Sequence, residues 1–179
     1  MTQYHSNKLA VTGLFAALTV SLGVFETFIA LPVPGVRLGL SNIGIMLCLY
    51  LLDLPSAFYV ALAKSILVPL LTGNLLVKIS ISLPSTIAAT IIMAVYIYTL
   101  KKYTSPFSTG AVGAFAHITV QFFVVKNLYI KADAIYNLLP YFTFVSVLTG
   151  AVTGYITLLI LKNFPEVKGC INVSKDNLS

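Results

Sequence analysis

Residues 9–35 read LAVTGLFAALTVSLGVFETFIALPVPG. From Leu9 to Leu31 the stretch carries a single charge, Glu26, and apolar residues occur on every side of the helix it could form. About 20 such residues are enough to cross the hydrocarbon of a bilayer. Pro32, Pro34 and Gly35 then stop the helix, because proline lacks the amide hydrogen and glycine favours a turn. The stretch therefore reads as a transmembrane helix followed by a sharp turn. Phe25-Glu26-Thr27-Phe28 continues where a signal peptide would carry small residues for cleavage, so this helix is expected to be retained.

The same alternation of apolar run and break continues to the other end of the chain. Further spans are expected over about Leu38–Leu52, Ser56–Leu71, Leu75–Leu100, Phe107–Val125 and Tyr136–Leu161. They are separated by Asp53-Leu54-Pro55, by Thr72-Gly73-Asn74, by Lys101–Pro106 and by a polar segment with Lys126, Asn127, Lys131 and Asp133. Pro84 predicts a kink inside the fourth span. The expected fold is all-α, with a short N-terminus (1–8), a domain of six transmembrane helices (9–161) and a polar tail (162–179).

Composition points the same way. Of 179 residues, 58% are hydrophobic and 9% charged, with a mean hydropathy of +0.95, whereas soluble domains carry roughly 25% charged residues. A soluble fold is excluded, and a β-barrel is set aside because its segments of about 10 residues alternate apolar with polar. The net charge of +6 comes from scattered cations, which does not suit nucleic acid. Cys48 and Cys170 show neither metal nor disulfide spacing, and no cofactor is expected. With six spans, Lys8, Lys101, Lys102, Lys162, Lys168 and Lys175 share the side of the termini, against Arg37, Lys78, Lys126 and Lys131 on the other. The excess of cations places the termini in the cytoplasm.

The chemistry concentrates on the opposite side. Lys64 falls about halfway along the third span, where a charge facing lipid costs at least about 2.5–3.5 kcal/mol. Lys64 could pair with Asp53 or Glu26 to hold the helices together, or could join Arg37, Lys78 and Lys126 around a cavity that attracts a carboxylate or phosphate. Asn42, and His117 with Gln121 one helical turn apart, could line the same cavity or could serve as hydrogen-bonding glue between helices. Small residues at Gly13, Ala17 and Ser21, spaced by four, lie along one helical face; Gly150 and Gly154 repeat the pattern in the last span. Either set could pack internally or against a partner. There is no phosphate-loop motif, and the five acidic residues are too dispersed to hold a magnesium diphosphate.

Pro34-Gly35-Val36-Arg37-Leu38-Gly39-Leu40-Ser41-Asn42-Ile43, followed by Leu70-Leu71-Thr72-Gly73, resembles the Gx transporter family, also labelled heptaprenyl diphosphate synthase component I. That family resembles a branch of the substrate-binding S components of energy-coupling factor (ECF) transporters, and the resemblance extends over about Leu9 to Leu161. It implies a six-helix bundle in the bacterial cell membrane that captures a scarce nutrient outside. Delivery would depend on a transmembrane coupling protein and two ATPases. In S components a small-residue face of the first helix meets the coupling protein; Ala10, Gly13, Ala17 and Ser21 match it here, without the usual alanine-x-x-x-alanine spelling. The synthase label points to isoprenoid metabolism, so a prenyl diphosphate, a quinone precursor or a vitamin is a candidate substrate. Two other readings stay open: a membrane subunit of an isoprenoid synthase, and a free-standing small secondary transporter using Lys64 or His117 to couple protons.

Overall fold

The computed structural model describes residues 2–28, 39–100, 103–129 and 137–163, with side chains from residue 8 onward in the first segment. The described residues form six helices and no strand: α1 (Thr2–Glu26), α2 (Ile43–Leu51) entered through a 3-10 turn (Leu40–Asn42), α3 (Leu54–Thr72), α4 (Leu75–Leu100), α5 (Pro106–Leu128) and α6 (Leu139–Asn163). Five of them are long and apolar enough to cross a membrane, the pattern of a multi-pass membrane protein. Local chemistry sets the ends. Asp53 caps α3 by accepting the Ser56 N–H at 3.0 Å, and Ser105 with Ser108 forms a capping box that starts α5 just before Pro106. Gly73 ends α3 with φ at 73°, a conformation that glycine adopts without a Cβ clash.

The second span differs from its expectation. Instead of a helix over Leu38–Leu52, the structure has only nine α-helical residues, Ile43–Leu51, about 13 Å of rise against some 30 Å of hydrocarbon. Its apolarity has another cause than lipid: Ile43 through Leu49 and Leu51 are all buried inside the bundle. The N-terminal boundary also moves. The helix begins at Thr2 and not near Leu9, and it ends at Glu26 and not at Leu31.

The short α2 nevertheless reaches both levels of the bundle, because α1 and α2 form an antiparallel hairpin tied at each end. At one end the Lys8 ammonium pairs with the Asp53 carboxylate. At the other, Glu26 bonds the backbone of Gly39, Leu40 and Ser41. Between them Gly44 lies against the Thr19 hydroxyl and the Phe15 carbonyl, so close that a Cβ there would sit 1.9 Å from Oγ1 of Thr19. Leu161 of α6 shares an apolar cluster with Leu51 of α2 and Ala57 of α3, so α6 finishes at the level where α1 starts.

Helices α5 and α6 cross where their glycines coincide. A Cβ on Gly110 would lie 2.1 Å from the Gly150 carbonyl, and one on Gly154 2.4 Å from the Pro106 carbonyl. The Gly150/Gly154 pair is therefore spent on internal packing. A smaller apolar cluster of Ile81, Ile118, Phe122, Val125 and Phe142 extends this contact toward the Glu26 end.

Candidate functional site

The site grows from the turn that opens α2. Gly39 has φ at 93°, a left-handed conformation open to glycine, and it turns successive backbone N–H groups toward one point. The Glu26 carboxylate occupies that point. One oxygen accepts from Gly39 N at 2.5 Å and Leu40 N at 2.7 Å; the other accepts from Ser41 N at 3.3 Å and Ser41 Oγ at 2.6 Å. Glu26 is only 4% exposed, and these donors replace the water that a buried carboxylate loses.

The next residue, Asn42, carries the turn to α3. Its Oδ1 accepts from the Lys64 ammonium at 2.7 Å, and both side chains are buried. Lys64 is the largest fully buried side chain among the described residues. Asp53, one of the two acids expected to face it, is taken by Lys8 at the far end of the hairpin.

His117 and Gln121 lie on the buried face of α5, each at 1% exposure or less. Helix register places them at the depth of Lys64. Asp53 and Lys8 mark one level and Tyr50 bonds Thr109 near it, so Lys64 and His117 both stand about 12–17 Å deeper along their helices. Helix α4 adds Ser82, Ser85 and Thr86 to this layer, all buried, its register set by Met93 against Gly113 and by Ser80 against Tyr129. The result is a polar belt between α2, α3, α4 and α5 inside an otherwise apolar bundle.

Lys78 and Lys126 stand apart from this belt. Lys78 donates to the Thr72 carbonyl at 2.7 Å and the Thr72 hydroxyl at 2.9 Å, closing the C-terminal end of α3. Lys126 sits half-buried in the last turn of α5, where a cation complements the helix dipole. Arg37 lies outside the described residues. On α1, Ala10, Gly13, Ala17 and Ser21 are all exposed, and no atom lies within 4 Å of where a Gly13 Cβ would be.

The sequence profile of one family, heptaprenyl diphosphate synthase component I, matches residues 15–160. The chain belongs to that family. No curated protein and no solved structure matches it. The matched region takes in the Glu26 turn and all of the polar belt. Sequence reading missed two of the belt's features. The Glu26 contact is made mostly to backbone amides, which leave no side-chain signature; the hint was Gly39, which marks a turn able to aim them. Thr86 has no sequence signal at all, since a threonine in a transmembrane helix ordinarily bonds its own backbone.

Proposed function

We propose that this chain is the substrate-binding S component of an ECF-type importer. In this reading it captures a scarce anionic, partly apolar small molecule outside the bacterial cell membrane, with its termini in the cytoplasm. A prenyl diphosphate is the first candidate, in keeping with the family's description. The coupling protein meets the open small-residue face of α1, and two ATPases supply the energy.

The observation that carries the binding function is the completely buried Lys64 ammonium, held by the neutral amide of Asn42. A cationic side chain placed inside an apolar bundle attracts an incoming anion, and a charge-assisted hydrogen bond in such surroundings is strong. His117, Gln121 and Asn42 supply polar contacts, and Lys78 and Lys126 make the approach electropositive. The test is binding of farnesyl diphosphate to the purified full chain in lipid nanodiscs. Lys64→Met should weaken it by at least about tenfold, the loss of one hydrogen bond to a charged group. Wild-type protein that binds no farnesyl diphosphate, or a variant that binds it equally well, would count against the assignment.

A second reading rests on the family's description, which names a synthase component: the chain would then be the membrane subunit of an isoprenoid synthase. Gentle purification from the native host separates the two. Recovery of a coupling protein with ATPases favours import, and recovery of a soluble prenyl synthase favours the subunit.

A further inference from the structure

Threonines buried in this bundle follow a rule with one exception. Thr12, Thr19, Thr90, Thr109, Thr153 and Thr157 each donate to a backbone carbonyl about one helical turn back, at 2.7–3.0 Å. Such a bond satisfies a hydroxyl that has left water. The Thr86 hydroxyl, on a residue with no exposed surface, has no hydrogen-bond partner among the described residues. The carbonyl it would ordinarily use, that of Ser82, receives the Ser85 hydroxyl at 3.0 Å. A hydroxyl buried without a partner is costly, and native proteins rarely leave one so.

Its position gives the exception a use. Helices α3 and α4 form a hairpin about Gly73-Asn74, and Lys64 and Thr86 lie about 14 Å and 18 Å from that turn along their helices, within one helical turn of each other in depth. The α4–α5 register brings Gln121 to the same level. We propose that the Thr86 hydroxyl is a ligand contact: it donates to an oxygen of the anion that Lys64 attracts, and so requires an oxygen acceptor beside the charge, as phosphate and carboxylate provide. This assignment rests on the binding function proposed above. It adds a specificity-determining residue on α4, at the depth of the lysine.

The test compares wild type, Thr86→Val and Thr86→Ser in nanodiscs, measuring farnesyl diphosphate affinity and the unfolding temperature without ligand. Valine keeps the branched shape and drops only the hydroxyl. Expected is an unfolding temperature equal to or above that of wild type, with affinity lowered roughly fivefold to tenfold, the scale of one neutral hydrogen bond, and restored by serine. A lower unfolding temperature for the valine variant would mean that the hydroxyl serves the fold, and overturns the assignment. So does unchanged affinity, which is what a hydroxyl holding only a buried water predicts, and so does failure of serine to restore binding. If wild type itself binds no farnesyl diphosphate, the binding function falls and this contact with it; if wild type binds and only the valine result fails, the lysine assignment stands alone.

Discussion

Gly13 and Gly150 look alike in the sequence, each a small residue followed four positions later by another, yet the molecule treats them in opposite ways. At Gly150 an added Cβ would lie 2.5 Å from the Gly110 carbonyl and from the Ala114 side chain; at Gly13 it would meet nothing within 4 Å. The first lets two helices of the bundle touch backbone to backbone. The second belongs to a face of α1, with Ala10, Ala17 and Ser21, that no described part of the chain covers. A small-residue stripe thus records close approach, and only coordinates tell whether the approaching helix belongs to the same chain.

The largest effect should come from filling the closed face. Gly150→Leu drives a side chain into the α5 backbone and is expected to destabilise by about 3 kcal/mol or more, read by denaturant-induced unfolding in mixed micelles. A variant as stable as wild type would mean that the α5–α6 crossing is looser than described. Filling the open face should do the reverse: Gly13→Leu should leave unfolding unchanged, because leucine suits a helix at least as well as glycine, while abolishing recovery of the proposed coupling protein in a pull-down. Undiminished recovery would place the docking face elsewhere.

The smallest effect lies at the foot of the open face, where Lys8 pairs with Asp53. Burial pushes the Asp53 carboxyl up, but the Lys8 ammonium and Ser56 outweigh it and hold it below its ordinary value of 3.8. A carboxyl depressed in the folded state stabilises fully above its unfolded value, and that contribution disappears as pH falls through the folded one. Stability should therefore show no Asp53-dependent change between pH 7 and about 5 and decline below about 4. With side-chain exposures of 28% and 39%, the pair contributes about 1 kcal/mol at most. In Asp53→Asn the part of the acid-induced loss owed to this pair should vanish; an identical pH profile would show that it contributes nothing.

Most helix positions were legible because each break has a local cause. Gly73-Asn74 and the Lys101-Lys102 pair bracket α4, and the helix runs from Leu75 to Leu100 as the sequence reading placed it. The length of α2 was not legible. A segment apolar all round satisfies either lipid or a protein interior, and composition cannot distinguish them. At the site, the depth of Lys64 was readable from charge spacing alone. Its bond to Asn42 was not, since the two are joined by the tertiary fold across 22 residues of sequence. Lys78 fell inside the expected ring of cations, but its bonds to Thr72 follow from the geometry of the α3–α4 turn, which hydropathy does not encode.

The hairpin tied at Lys8–Asp53 and at Glu26–Ser41 also bears on how the chain is made. Among the described residues, the donors that Glu26 uses lie within the 15 residues after it, and the partner of Lys8 arrives by residue 53. Once the ribosome has passed that point, the nascent hairpin holds within itself partners for Lys8, Glu26 and Asp53. Lys64, emerging next, finds its Asn42 acceptor already synthesised. The order of synthesis thus places the partners of Lys8, Glu26 and Lys64 early in the chain, and its first third becomes the template on which the other helices assemble.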